Sequence, residues 1–468
     1  LKSFGYNCIR CSHNPYSDSF ARIADRVGML VVDELTDKWS DNDYWGGRQP
    51  FTHIWHKLIT EWIKRDRNRP SIILWSLGNE LQIREGWAGF EGTNDWGITT
   101  YNIFNQLVKR WDNTRLTTVA MFPARAGAIT RHDKEFNDYL VPPELACATE
   151  VASFNYQSDK YDAYLKYKPD LILFQSEAET SNLLQPYYNM DRKRTVGMAY
   201  WGSAEYWGES NKWPKKGWNY SFFDHTMRPY PQAYLIKSAF MPEIPEVHIG
   251  VVDAAGAESV SWNDVIVGRM ALNECWNHTP GSRQSLFTFT NAHSVELLVN
   301  GQSMGVQEND TTQANLRNMI YWKDVPYGNG GSVVAIARDK SGKEVARHHI
   351  ETAGKAVALR IEAETPADWK ADGMDLQYIN VTAIDKKGRP VWDYNKPLTL
   401  QMEGAAWLVA LDNGDHYTDE LFHGITSKRM YQGRMQIILR STKTPSNVKL
   451  EISSADLKEK LSLKTSLK

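Results

Sequence analysis

Seven short apolar runs dominate the first half of the chain, and most of them end in a polar or charged residue. They are NCIR (7–10), LVVDE (30–34), IILWSLGNE (72–80), LTTVA (116–120), VASFNYQ (151–157), LILFQSE (171–177) and VGMAYWG (196–202). Stretches with helical spacing separate them. Strands apolar along their whole length and spaced by helices belong to a parallel sheet covered on both faces. Between the first two runs, SDSFARIADRVG is expected to form a helix with Phe20, Ile23, Ala24 and Val27 on its inner face and Gly28 as its stop. A (β/α)8 barrel needs eight strands, so the eighth is expected upstream of Leu1. The opening LKSFGYNCIR has no signal-peptide core and reads as the end of a helix stopped at Gly5. The chain is therefore expected to be part of a longer protein, with the strands at 7–10 and 196–202 facing each other across a seam.

Beyond about residue 245 the apolar period changes to two. SVELLVNGQSMG (294–305) alternates around Asn300–Gly301, a strong hairpin turn. VVAIARDKSGKEVA (333–346) and INVTAIDKKGRPV (379–391) repeat the pattern around D-K-x-G turns. The expected architecture is multidomain: an α/β (β/α)8 TIM barrel over 1–243, incomplete at its N-terminus and contributing strands two to eight, then two all-β immunoglobulin-like sandwiches over 248–353 and 356–460.

The formal net charge is −2, which leaves no electrostatic footprint for nucleic acid. No apolar run reaches the roughly 20 residues of a membrane span. The 18 Trp and 22 Tyr suit sugar-binding surfaces, and equally large cores. Cys8 and Cys11 form a C-x-x-C pair with no second pair, a weak signal for zinc or redox chemistry. The sequons at Asn219, Asn277, Asn309 and Asn380 matter only in a eukaryotic secretory pathway.

Barrels of this type carry their chemistry at the C-terminal strand ends. Those ends offer Arg10 with His13, Asp33 with Glu34, Asn79 with Glu80, Asn155 with Tyr156, Ser176 with Glu177, and Trp201. Gly78 is expected to bend its strand so that Asn79 and Glu80 face the rim. Two carboxyl groups about 5 Å apart suit retaining glycoside hydrolysis, one protonated as acid and one ionised as nucleophile. Singly, each residue has a structural alternative: Arg10 an ion pair with Asp33, Tyr156 a packed aromatic, His13 a turn before Pro15.

NCIRCSHNP, LVVDE, RDRNRPSIILWSLGNE, FNY, LFQSE and AYWGSAEYWGE resemble the barrel motifs of family 2 glycoside hydrolases, in the β-galactosidase branch. VELLVNG and LVALDNGD extend the likeness more weakly. The resemblance implies that Glu80 is the acid/base and Glu177 the nucleophile. It implies that Asn79 binds the sugar's 2-hydroxyl, that Arg10 and Tyr156 hold the nucleophile, that His13 binds a sugar hydroxyl, and that Trp201 is the platform under the ring. Glu179 is the rival nucleophile; the run LILF delivers Glu177 to the rim first. DELTDKWSD lacks the Glu-x-His magnesium motif of the best-known β-galactosidases, so no metal and no cofactor are expected. AET after Glu177, with Glu205 and Glu209 beyond Trp201, bears on which sugar fits. A β-glucuronidase would need a cationic clamp, for which Asn211–Lys212 is the candidate. The expected partner is a β-galactoside oligosaccharide or glycan, with a homo-oligomer left open, as is periplasmic or secreted location should a signal peptide precede. A catalytically silent carbohydrate-binding fragment is the rival reading.

Overall fold

A computed structural model describes residues 1–39, 50–81, 97–122, 141–210, 213–253, 258–262 and 265–467. It divides into two compact units, one of Leu1–Trp201 with Ser259–Gly268, the other of Gly202–Glu258 with Arg269–Lys468. No helix among the described residues is long and apolar enough to cross a membrane.

The first unit is built on a parallel sheet whose strand order follows the sequence. Its strands are β1 (Cys8–Arg10), β2 (Leu30–Glu34), β3 (Ile72–Asn79), β4 (Leu116–Met121), β5 (Val151–Asn155), β6 (Leu173–Ala178) and β7 (Thr195–Tyr200). All seven expected runs form strands, and β1 and β7 come within 8 Å of each other at Cα. Helices α1 (Asp18–Val27), α2 (Phe51–Asp66) and α3 (Ile98–Trp111) follow β1, β2 and β3. Side chains on the outward phase, such as Val31, Trp75, Val119, Ala152 and Leu173, pack with the helices into one large core. The inward phase is separate: Val32, Leu74, Val151 and Phe174, with Cys8 and Ala199, form a small cluster inside the barrel.

Two details differ from the sequence expectation. Helix α1 buries Ala21 and Ala24, whereas Ile23 and Val27 are exposed. Asp18 and Asp25 both pair with Arg69, and Asp25 Oδ1 accepts the Ser71 N–H at 3.0 Å. Those polar contacts set the helix's rotation, so that Ala21 and Ala24 are buried and Phe20 packs partly buried against the core. Gly28 does stop it, in the left-handed region at φ 68°. Gly78 is no bend either, because β3 runs through it to Asn79. A Cβ there would lie 2.7 Å from Trp39 Nε1, the indole N–H that donates to the Leu77 carbonyl at 2.7 Å. The glycine makes room for an indole. The reversal comes at Glu80, at φ 49°.

The C-x-x-C pair stays free, with Cys8 half-buried at the barrel interior and Cys11 buried. Burial pushes the Cys8 thiol up to about 11 and raises Cys11 as well, opposite to what a thiolate ligand or redox cysteine needs.

In the second unit, four-stranded antiparallel sheets pack in pairs. Strands Val247–Val252, Arg283–Thr290 and Met319–Pro326 share a core with Ser294–Val299 and Ser332–Arg338. Strands Leu376–Asp385 and Arg434–Ser441 share another with Pro397–Glu403 and Asn447–Ser454. Asn300 and Gly301 both take positive φ, 51° and 80°, as a type I′ hairpin turn requires. The two D-K-x-G turns share one device. Asp339 Oδ1 accepts the N–H groups of Ser341 and Lys343, and Asp385 Oδ1 those of Lys387 and Arg389.

Candidate active site

Two residues beyond the apolar layer inside the barrel, the same inward phase becomes polar. Cys8 leads to Arg10, Val32 to Glu34, Leu74 to Ser76, Val151 to Ser153, Phe174 to Ser176 and Ala199 to Trp201. The period-two geometry of a strand explains this layer without further assumption. It also separates Asp33 from Glu34. Asp33 points outward and accepts the Trp62 indole N–H of α2 at 2.7 Å, so the expected alternative of an Arg10–Asp33 ion pair is not formed. Burial, together with Asp66 nearby, raises the Asp33 carboxyl to about 7.

Asn79 and Glu177 are out of phase with the inward layer by one residue. Pairing shifts register between Ser76 and Asn79 on β3, and between Gln175 and Ala178 on β6. Such irregularities re-aim side chains at barrel rims. They bring both residues inward. The residues immediately after β3 and β5, Glu80 and Tyr156, take left-handed backbone at φ 49° and 58°. Each costs on the order of 1 kcal/mol for a non-glycine residue. The Glu80 N–H is held by the Ala120 carbonyl at 2.6 Å, and the Tyr156 N–H by the Glu177 carbonyl at 2.8 Å.

Arg10 is the centre of the resulting network. Its Nη1 donates to Glu177 Oε1 at 2.8 Å. Nε and Nη2 donate to the two oxygens of Glu34 at 2.9 and 3.0 Å, and Nη2 also to Asn79 Oδ1 at 3.0 Å. Glu34 further accepts from His13 Nδ1 at 2.6 Å and Ser76 Oγ at 2.7 Å. Asn79 Nδ2 lies 3.0 Å from Asp37 Oδ1 and 3.3 Å from His13 Nε2. Asn155 Nδ2 spans Asn79 Oδ1 at 3.0 Å and Glu80 Oε1 at 3.2 Å, while its own oxygen accepts from Ser176 Oγ at 2.8 Å. The Trp201 ring stacks on His13, with centroids 5.2 Å apart and planes 8° from parallel.

The charges are arranged unequally. Burial would raise Glu34, but Arg10 and His13 hold it below its ordinary range. Burial raises Glu177, and the Glu80 carboxylate adds to this, against the pull of Arg10 and His13. Burial lowers His13, but the hydrogen bond to Glu34 and the charges of Glu34 and Glu177 together hold it above its usual value.

The structure thus gathers Arg10, His13, Asn79, Glu80, Glu177 and Trp201 into one constellation. Tyr156 adjoins it through the backbone, its ring packed edge-on against Phe122. Glu179 stands apart, accepting from Asn182. Glu34 and Asn155 hold more of the network than strand-end reading suggested. The signal for Glu34 was available, since it is the inward member of the Asp33–Glu34 pair. The proposed clamp at Asn211–Lys212 lies outside the described residues. Glu205 belongs to the second unit, where it is buried.

The arrangement of strand ends can be set beside known sequences. Residues 1–199 match the model described as "Glycosyl hydrolases family 2, TIM barrel domain", and 359–461 match "Glycoside hydrolase family 2 C-terminal domain 5". The chain belongs to glycoside hydrolase family 2. Residues 281–346 of this family 2 chain also match a domain of unknown function. It is 25% identical to Beta-galactosidase BoGH2A of Bacteroides ovatus, over 98% of this chain and 57% of that protein. A shorter stretch is 49% identical to a putative beta-glucuronidase of Formosa agariphila, over 17% of this chain and 8% of that protein. A solved structure of a family 2 member from Bacteroides cellulosilyticus superposes with a TM-score of 0.80 at 26% identity, covering 99% of this chain and 57% of the other. The chain therefore spans a little over half the length of these full-coverage relatives.

Proposed function

We propose that this family 2 chain carries the catalytic centre of a retaining exo-β-glycosidase acting on terminal β-D-galactosides. The observation that carries the reading is the 2.8 Å contact between Arg10 and Glu177, with Glu80 close enough to raise the Glu177 carboxyl. Paired carboxyls with unequal surroundings divide into acid and nucleophile. Glu177 Oε attacks the anomeric carbon while Glu80 protonates the departing glycosidic oxygen, giving a covalent glycosyl-enzyme. Glu80, now ionised, takes a proton from water, which attacks the same carbon and frees Glu177. Arg10, at 2.8 Å, favours the ionised form of Glu177 and counters part of the burial that raises it. Asn79 is fixed by Arg10, Asp37 and Asn155 and donates toward the sugar's 2-hydroxyl, as His13 does toward another hydroxyl over the Trp201 platform. In this reading the barrel extends over 1–243 and the sandwiches over 248–353 and 356–460.

The β-galactosidase name of the relative matched over nearly the whole chain favours galactose. The beta-glucuronidase name of the 49% identical stretch supports glucuronides as the second reading. A panel of chromogenic β-glycosides tests both. Turnover of β-galactosides is expected, abolished in Glu177→Gln and retained in Glu179→Gln. Glu80→Gln should slow substrates with poor leaving groups far more than activated phenyl glycosides, since a phenolate departs without an acid. Preference for glucuronides would move the specificity, and sugar binding with no turnover of any substrate would overturn the enzymatic reading for this chain.

A further inference from the structure

We propose that Glu205, His225 and His416, all in the second unit, form a binding site for a divalent transition metal of the zinc type. The three side chains are almost wholly buried, at 1%, 3% and 4% exposure. Glu205 Oε2 lies 3.3 Å from His225 Nδ1 and 3.1 Å from His416 Nε2. All three ligand atoms lie within 4.8 Å of one another. Zinc–nitrogen and zinc–oxygen bonds of about 2.0–2.1 Å at tetrahedral angles place neighbouring ligand atoms roughly 3.3 Å apart. Small adjustments of the rings would therefore admit the ion.

The surroundings direct each donor atom. Asp412 Oδ1 lies 2.8 Å from His225 Nε2. A carboxylate there accepts a hydrogen bond from Nε2–H, which keeps the proton on Nε2 and leaves the Nδ1 lone pair for a metal, the outer partner that metal-bound histidines commonly have. Glu205 Oε1 is occupied by Tyr230 Oη at 2.8 Å and Arg269 Nη1 at 3.2 Å, which turns Oε2 toward the two imidazoles. His416 is buried, yet neither ring nitrogen makes a hydrogen bond among the described residues. Its Nε2 is near Glu205 but out of line for one. A buried polar atom left so is destabilising, and coordination through Nε2 would satisfy that atom. The backbone supports the placement: the Glu205 N–H bonds the Phe223 carbonyl, and the Lys216 N–H the His416 carbonyl. Glu205 and His416 also line a pocket with Tyr230, Arg269, Asp415 and Tyr431, giving a fourth coordination position room for water.

A second cluster, His248, Glu274 and His348, fails the same chemical test. His348 Nδ1 accepts the Ile249 backbone N–H at 3.0 Å, so its Nε2 carries the proton and cannot ligate. The proposed site departs from the sequence expectation of a metal-free chain. That expectation addressed the rim near Glu80, and three ligands so far apart in sequence leave no spacing motif to read. It does not rest on the glycosidase reading.

The test uses the full chain, stripped with a chelator and dialysed against Zn2+ or Co2+, with bound metal measured by elemental analysis. One equivalent is expected in the wild type and in His423→Gln, an exposed control. His416→Gln and Glu205→Gln should each weaken binding at least tenfold while retaining the wild-type far-UV spectrum. Co2+ in the unmutated chain should give the intense visible absorption of four-coordinate cobalt, a readout that needs no variant to fold. Substoichiometric metal in the wild type, a weak six-coordinate cobalt spectrum, or unchanged affinity in a folded His416→Gln would each overturn the site and leave the cluster an ion-pair network.

Discussion

Glu34→Gln probes the network more sharply than removal of either proposed catalytic carboxylate. The side chain is completely buried and accepts four hydrogen bonds, two from Arg10 and one each from His13 and Ser76. Glutamine keeps the shape but replaces one acceptor oxygen with an NH2 group. Ser76 can rotate, whereas Arg10 Nε cannot, so the amide leaves a guanidinium donor facing another donor. Arg10 then keeps only Glu177 as a charged partner. Breaking a buried ion pair in this way costs about 3–5 kcal/mol. The assay is denaturant unfolding of both proteins across pH. Glu34 is held below its ordinary value of 4.5, so its contribution is fully present above that pH and is lost as pH falls through the folded-state value. The gap between wild type and variant should therefore be widest near neutrality and shrink below about pH 4.5. A gap under about 1 kcal/mol at pH 7, or one independent of pH, would refute the assignment of Glu34 as the anchor of Arg10.

Asp33 carries the opposite sign: its carboxyl is raised to about 7, so ionising it opposes folding, and stability is lost as pH rises from about 4 to 7. Asp33→Asn keeps an acceptor for Trp62 and should be more stabilising at pH 8 than at pH 4.5 in thermal melts; equal effects would contradict that. Gly78→Ala should cost about 1–3 kcal/mol by overpacking against Trp39, read by urea titration, with the backbone φ itself permitting alanine. Asp385→Ala should destabilise more than Asp339→Ala in chemical denaturation. Asp385 also accepts the Gly354 N–H and pairs with Arg389, while Asp339 caps an exposed turn.

The strands were legible because parallel barrel strands must be apolar on both faces, and the rim residues followed from where each run stopped. The constellation was less legible where geometry broke the simple period. Strict alternation on β6 would send Glu177 outward beside an inward Ser176, and only the shift in pairing returns it. Gly78 looked like a bend because glycine usually marks one, and the indole needing that space comes from Trp39, far off in sequence. Helix α1 misled because its aspartates, not its isoleucine and valine, choose the buried side. His225 and His416 offered no pattern at all, since folding alone makes them neighbours.

Arg10 stands on one edge strand of the sheet, while the carboxylate it steadies stands on β6, with the other edge strand, β7, between them across the gap. A change in the width of that gap alters how far Glu177 is from its counter-charge. The acidic limb of a rate profile would then work as a ruler across the gap, moving upward in pH as the edges separate and downward as they close. Ionisation of one carboxylate thereby becomes a gauge of how well the two ends of the sheet meet.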